Sequence, residues 1–302
     1  MKKTLKLLGI ISGLAVGMFL ISVLILYSLG KARLNKVYDV SIEQIKIPSD
    51  TWSIEEGKRI FQYRGCEACH GENLQGLVYL DNPAIGKVIT PNLTTGKGGI
   101  GLLRTNADLQ RAIKHGLRPD GTPLLFMPST EFYYMSYDDL GKVLAYIRSV
   151  PAVDNEPDPS ELSFTGFLVM NITHEITFLP AEMIQHDEAP PKPPEPGITP
   201  EYGQYLAISC MVCHGASYSG GDVIGFPPEW PAAPNLTSGT DSRLPNWGIE
   251  GFIEIIRNGS KHGRRINKNY MPWTSYRYMT DDELHAVYEF LMALPAKEFG
   301  NY

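Results

Sequence analysis

Five residues, Cys66-Glu67-Ala68-Cys69-His70, recur in pattern as Cys210-Met211-Val212-Cys213-His214, and together the two stretches use all 4 cysteines of the chain. The two stretches lie 144 residues apart, and a shift of that size superposes far more than the cysteines. Gly71 falls on Gly215, Gly76 on Gly220, Met127-Pro128 on Met271-Pro272, Tyr134 on Tyr278 and Met135 on Met279. "MSYDDLGKVLAYIRSVP" (135–151) overlays "MTDDELHAVYEFLMALP" (279–295) without a gap. Pro91-Asn92-Leu93-Thr94 matches Pro234-Asn235-Leu236-Thr237, one residue out of phase. An internal repeat of this kind means one structural unit present twice. A chain of 302 residues has room for both copies.

Cys-x-x-Cys-His is the attachment signature of c-type haem. Each thiol adds to one vinyl group of the macrocycle, and the adjacent histidine is held beneath the iron as its proximal ligand. A structural zinc site fits poorly, because two cysteine pairs so far apart, each followed by histidine, do not form one tetrahedral set. A thioredoxin-like pair needs a βαβ context that the sequence does not show. Ordinary disulfides have no use for the histidines. The expected cofactors are therefore two covalently bound haem c groups, with Cys66, Cys69 and His70 holding one and Cys210, Cys213 and His214 the other.

Each copy reads as helical, and strand alternation is scarce, so the expected class is all-α. Ser53 followed by Glu56 has the form of a capping box opening the helix into Cys66, and Thr199-Pro200 provides an N-cap and N1 residue in the second copy. "NADLQRAIKHG" (106–116) and "GIEGFIEIIRNG" (248–259) are short amphipathic helices, each ending in a glycine suited to a C-cap. The last helix of each copy spaces its apolar residues three and four apart: Leu140, Val143, Leu144 and Ile147, then Leu284, Val287 and Leu291. Residues 152–201 carry ten Asp or Glu against one basic residue, Lys192. Residues 190–196 have the composition of a stiff extended spacer. The apolar stretch 164–184, interrupted by His174 and Glu175, is a poor membrane span and reads as a segment packed on one of the units. The organisation is then an anchor with its flanks (1–36), a first unit (37–151), an acidic proline-rich connection (152–198) and a second unit (199–302).

Residues 7–29, "LLGIISGLAVGMFLISVLILYSL", carry no charge and are long enough to cross a hydrocarbon core. The run is too long for a signal peptide and lacks a small-residue cleavage site, so an uncleaved anchor in contact with membrane lipid is expected. Lys2, Lys3 and Lys6 on one flank balance Lys31, Arg33 and Lys36 on the other, and the positive-inside rule gives no orientation. Haem c is attached outside the cytoplasmic membrane, which places the N-terminus inside and the two units on the periplasmic or extracellular side. Gly9, Gly13 and Gly17 repeat every four residues and form a smooth ridge on which a helix of another membrane subunit can pack. The net charge of -6 gives no reason to expect nucleic acid as a partner.

The methionines sort into two kinds. Met127 and Met271 both lie 57 residues after their histidines and both precede proline, which holds the preceding residue extended on a fixed loop. They are the candidate distal iron ligands. Met135 and Met279 precede Ser136 and Thr280, which read as N-caps with Asp139 and Glu283 three residues on, so these methionines are hydrophobic staples to Leu140 and Leu284. The remaining histidines, His115, His174, His186, His262 and His285, are not repeated between copies.

Helix, Cys-x-x-Cys-His, Pro-Asn-Leu, Met-Pro and a final helix, in that order, resemble a class I cytochrome c domain. In that family the proline carbonyl before Asn-Leu accepts a hydrogen bond from the proximal histidine, which by position implies Pro91 for His70 and Pro234 for His214. Residues 53–151 and 199–295 further resemble the cytochrome c subunits of membrane-bound alcohol and aldehyde dehydrogenases, although those commonly carry three haems and this chain has two motifs. The resemblance implies an electron-transfer protein that passes single electrons between a periplasmic donor and a membrane respiratory acceptor, within a larger complex or beside one. A basic loop of Lys261, His262, Arg264, Arg265 and Lys268 is placed to steer an acidic partner or to remain solvated. The alternative is a dihaem redox enzyme such as a peroxidase, which needs one iron with an open position; two matched Met-Pro sites argue against it.

Overall fold

The computed structural model describes residues 2–173, 176–225, 229–261 and 263–300. The expected roles of His174, Glu175 and His262 lie outside the described residues. Helix α1 (Lys2–Leu34) is long and apolar enough to cross a membrane, and almost all of its side chains face outward. The chain then runs extended across the first unit, held where the Tyr38 N–H donates to the Gly121 carbonyl (3.0 Å) and Arg111 Nη1 to the Val40 carbonyl (3.0 Å).

The first unit contains α2 (Thr51–Tyr63), α3 (Cys66–His70), α4 (Asn106–His115), α5 (Ser129–Phe132) and α6 (Tyr137–Ser149). The second contains α8 (Pro200–Ala207), α9 (Met211–His214), α10 (Leu244–Asn258), α11 (Trp273–Tyr276) and α12 (Asp281–Ala293), with α7 (Phe164–Ile172) between the units. Caps fall where short polar side chains precede apolar periodicity. Thr105 with Asp108 and Thr280 with Glu283 form reciprocal boxes, Ser136 accepts from the Asp139 N–H, and Thr199 accepts from the Tyr202 N–H. Gly116 and Gly259 close α4 and α10 in the left-handed region, as a C-cap requires. The α10 helix begins earlier than its glycine-bounded pattern, at Leu244, and kinks at Gly248.

The start of α2 differs from the expected Ser53–Glu56 box. Asp50 is the cap, and its carboxylate accepts from the Ser53 N–H at 2.9 Å. Ser53 is instead buried in the first turn, and Glu56 pairs with Arg59 (Oε1 to Nη2 2.6 Å). An aspartate one turn upstream, in extended backbone, outcompetes the serine because a carboxylate is the stronger acceptor at the positive end of a helix.

In both units the first helix crosses the last at a glycine. A Cβ on Gly57 would sit 1.9 Å from the Lys142 carbonyl oxygen, and one on Gly203 would sit 1.9 Å from that of Ala286. Lys142 and Ala286 are themselves equivalent by the repeat, so the crossing is the same twice. The apolar residues expected to face inward, Leu140, Val143, Leu144 and Ile147 with Leu284, Val287 and Leu291, are all buried. A single contiguous apolar core runs through both units. Across the seam between them, Arg59 on α2 meets Glu283 at the start of α12, and Tyr205 on α8 meets Asp139 at the start of α6.

Strands are few but present, which the helical reading did not anticipate. β1 (Val78–Asn82) and β2 (Gly86–Ile89) form a hairpin whose turn is held by Asn82 Oδ1 accepting from the Ala84 N–H (2.8 Å). β3 (Glu161–Leu162) joins its edge, antiparallel to β2. β4 (Ser260–Lys261) and β5 (Arg264–Arg265) form a second small hairpin. The connection after α6 is mostly attached rather than free. Residues 153–155 lie along the Asn92 and Lys97 loop, β3 extends the hairpin, and Phe167, Met170, Phe178 and Leu179 form an apolar cluster with Tyr27 and Leu34 of α1. The apolar stretch thus packs on the first unit, as expected, and also on α1.

Candidate functional site

Gly65 before α3 and Gly71 after it both have positive φ, so the first motif is a single tight turn set between two chain reversals. The second motif is approached by a 3-10 turn (Ile208–Cys210) and ends at Gly215, again with positive φ. The loops that follow share several hydrogen bonds at matching positions. The Gly76 N–H donates to His70 O (2.9 Å) and Gly220 N–H to His214 O (3.0 Å), while Leu93 N–H donates to Leu74 O and Leu236 N–H to Tyr218 O, both at 2.8 Å. Leu74 and Tyr218, at matching positions, are both held at φ 59. Two side chains of this size in the left-handed region mark a backbone that the surrounding loop dictates.

His214 is buried and His70 partly so, and desolvation lowers the affinity of both rings for a second proton, that of His70 to about 4. His214 Nδ1 lies 2.7 Å from the Pro234 carbonyl oxygen, and His70 Nδ1 lies 3.5 Å from that of Pro91. A neutral imidazole whose Nδ1 donates to a carbonyl keeps its Nε2 lone pair available for a metal. The two Pro-Asn-Leu-Thr loops are tied down by groups that sequence reasoning did not single out. Asn92 Nδ2 donates to Val153 O and Asn235 Nδ2 to Lys297 O, each at 2.7 Å. Their Oδ1 atoms accept from the N–H and hydroxyl of Thr94 and Thr237. All four side chains are buried. Their signal was present in the sequence, since the asparagine and threonine recur in both copies.

Met127 and Met271 lie half-buried at the edge of the core, each on a turn whose carbonyl accepts from the N–H two residues on (Ser129 at 2.7 Å, Trp273 at 2.8 Å). Met135 and Met279 are 3% and 5% exposed, in the same core as Leu140 and Leu284. The two kinds of methionine are thus separated by burial. His115 and His186 face each other (Nδ1 to Nδ1 3.1 Å), and His285 lies 3.4 Å from Glu289.

The donor set fits haem c: two thiols, an imidazole with a carbonyl behind it and a thioether, present twice. Cys66 and Cys210 form no disulfide, and burial is the chief cause that pushes their thiols up to about 12. The charges of Arg64 and Glu131 act on both. The Arg64 guanidinium is buried, stacked over the Tyr205 ring at 4.9 Å, and its Nε and Nη2 have no protein partner. Buried donors of this kind call for an anion. The propionates of haem are such groups.

The cytochrome c family model matches residues 54–151 and 201–295, one match on each copy. The chain belongs to the cytochrome c family. As a cytochrome c with two such domains it is an electron-transfer haem protein, with two covalently bound haem c groups as cofactors. Its relatives include the cytochrome c subunit of a quinone alcohol dehydrogenase from Gluconacetobacter polyoxogenes, 27% identical over 290 residues, covering 84% of this chain and 59% of that protein. The fructose dehydrogenase cytochrome subunit of Gluconobacter japonicus is 26% identical, over 81% of this chain and 53% of its own. A dihaem c-type cytochrome of Cereibacter sphaeroides is 27% identical over 54% of this chain and 57% of its own length. The chain thus spans somewhat over half the length of these relatives.

Proposed function

We propose that this cytochrome is a single-pass membrane protein that relays single electrons between a periplasmic donor and a membrane respiratory acceptor, as a redox subunit of a larger complex. The observation that carries the reading is the shared seam: two repeated sites in one chain, docked through Arg59 with Glu283 and through Tyr205 with Asp139. The apolar helix α1 supports anchoring, and the cytochrome subunits among the relatives support a dehydrogenase-type donor. The proposed domains are 37–151 and 199–302, joined by 152–198.

Haem c supplies an iron that gains or loses one electron without other chemistry. The chain's own residues hold it and set its surroundings. Cys66, Cys69, Cys210 and Cys213 are assigned as the thioether attachments, His70 and His214 as proximal ligands, and Met127 and Met271 as distal ligands. Pro91 and Pro234 fix the orientation of the histidine rings through their carbonyls. The buried Asn92–Thr94 and Asn235–Thr237 pairs hold those carbonyls in place. His70 with Met127, and His214 with Met271, would hold the iron of each haem through protein side chains, and the chemistry the haem would supply there is transfer of a single electron. On α1, Gly9, Gly13 and Gly17 have open space beside them, which suits close packing by a helix of a partner subunit.

Spectra of the purified protein test this reading: both haems are expected to be low-spin, each with a methionine–iron band when oxidised. A high-spin haem on reduction, with turnover of peroxide, overturns it in favour of an enzyme. Extraction of membranes in mild detergent is expected to recover the chain bound to a dehydrogenase or oxidase subunit.

A further inference from the structure

The α7 helix, Phe164-Thr-Gly-Phe-Leu-Val-Met-Asn-Ile172, has no charged residue, yet only part of it is covered. Gly166, Phe167 and Met170 are buried against α1 and the first haem domain. The open side carries Phe164, Leu168 and Ile172 at i, i+4 and i+8, with Phe164 and Ile172 50% and 65% exposed, and its one hydroxyl, that of Thr165, is taken up by the Ala84 carbonyl (2.6 Å). A soluble helix keeps polar residues on its open side; one that is apolar all round is normally enclosed.

What encloses it follows from where it sits on α1. The stripe of α1 residues that lose exposure runs Val23, Leu26, Tyr27, Gly30, Arg33 and Leu34. The Tyr27 ring stacks on Phe164 (5.0 Å) and meets Phe167 edge-on (5.3 Å), and Asn171 Nδ2 donates to the Leu26 carbonyl (2.9 Å). Gly30 lets the backbone of α7 approach, since a Cβ there would lie 2.8 Å from Phe167 O. The last apolar side chain of α1 before its first charge, Lys31, is Leu29. From Val23 to Leu29 is about 9 Å of helix at 1.5 Å per residue. An interfacial helix lies about 5–10 Å into the boundary between headgroups and acyl chains.

The polar groups agree with that depth. Lys31 sits over the Tyr27 ring, and Arg33 pairs with Glu182 (Nη2 to Oε2 2.6 Å) just beyond the apolar run, where water begins. Arg33 Nη1 also donates to the Met170 carbonyl and to Asn171 Oδ1, which satisfies the exit of α7. Among these contacts Asn171, the amide within the apolar helix, is bonded on both sides, as a group near hydrocarbon must be.

We propose that α7 is a second membrane contact, lying in the leaflet on the haem-domain side with Phe164, Leu168 and Ile172 toward lipid. The inference rests on the reading that α1 spans the bilayer. Two points of attachment then fix the tilt of the first haem domain over the membrane, which a single flexible stalk does not.

The test uses the full chain with both haems in phosphatidylcholine vesicles. A photo-crosslinking benzoylphenylalanine replaces Phe19 in α1, Ile172 in α7 or Glu250 on the exposed face of α10, with unchanged haem absorbance as the check on folding. Lipid adducts are expected from positions 19 and 172 and none from 250. Adducts at 19 without any at 172 overturn the proposal and leave the anchor standing. Absence at both positions removes the anchor as well. Crosslinks from 172 to a second copy of the chain in place of lipid also overturn it.

Discussion

Arg59 of the first haem domain holds Glu283 of the second, Nη2 to Oε1 at 2.8 Å, and the positions equivalent to these two residues meet across the same seam in the opposite sense. Gly57 and Gly203 occupy the same place in the two helix crossings, so Arg59 corresponds to Tyr205, and Asp139 corresponds to Glu283 by the repeat. Tyr205 Oη donates to Asp139 Oδ2 at 2.5 Å and accepts from the Ser136 N–H at 3.1 Å. The seam is therefore a two-fold contact within one chain, in which each domain offers its first helix to the start of the other's last helix.

Arg59 is mostly enclosed, and burial, which disfavours its charge, is outweighed by the Glu56 and Glu283 carboxylates that hold it protonated. Arg59→Ala is expected to cost about 3 kcal/mol, the low end for breaking a buried pair, because Glu283 keeps the Thr280 N–H as a partner. Thermal unfolding of Arg59→Ala, Glu283→Gln and the double variant checks this. Strictly additive losses would remove the pair from the account of the seam. Tyr205→Phe should cost about 1–2 kcal/mol through its two lost hydrogen bonds.

Gly57→Ala and Gly203→Ala should each destabilise by about 1–3 kcal/mol despite the better helix propensity of alanine, since the added carbon overlaps a carbonyl oxygen of the facing helix. Denaturant unfolding of both variants is the measurement. The informative feature is their similarity: a stabilised variant in either domain means that the crossing is looser than described.

The two methionines after the second motif are separable by substitution. Met271→Ala is expected to abolish the methionine–iron band of one haem and lower its potential, with a small loss of stability. Met279→Ala should leave that band intact and cost about 2–5 kcal/mol, as for other buried methionines cut to alanine. Equal spectroscopic effects from both would sink the assignment. The same contrast holds for Met127 and Met135.

Lys114 is 2% exposed, and its Nζ donates to the Met135 carbonyl at 2.7 Å with Tyr137 beneath it. Burial lowers its pKa to about 8, against an opposing pull from Glu43. The unfolded chain therefore holds this proton more tightly, and between about pH 8 and 10.5 the folded state gains on the unfolded as pH rises. The gain is on the order of 3 kcal/mol for a shift of this size. Lys114→Met should be the more stable protein near pH 7, with the gap closing by about pH 10. Unfolding curves at the two pH values measure it; a constant gap contradicts the burial penalty.

Local features of the chain were legible in its sequence because their signals are local. The two Cys-x-x-Cys-His turns, the caps at Ser136, Thr199 and Thr280 and the inward faces of α6 and α12 depend on residues within a few turns of one another. In the sequence, Pro128 after Met127 and the Ser136 cap after Met135 set the two methionines apart. The Asp50 cap was missed because Ser53 and Glu56 carry the usual box spacing, although Asp50 stands at the same distance before Ser53 and offers the stronger acceptor. The β1–β2 hairpin was missed because Val78 to Ile89 is short and its third strand comes from residue 161, far along the chain. Neither Arg59 nor Tyr205 advertises a partner more than 60 residues away, so the seam was invisible until the domains were docked.

A two-fold contact between separate molecules dissolves on dilution, and its two halves must remain identical because one gene encodes both. Here the stretch of chain between the two family-model matches removes both restrictions. The second half is always present at a fixed effective concentration, so the union of the domains does not vary with how much protein the cell makes. Each half is also free to drift: an arginine–glutamate pair on one side now faces a tyrosine–aspartate pair on the other. Covalent tethering has turned what symmetry would hold equal into two sites that can be tuned apart.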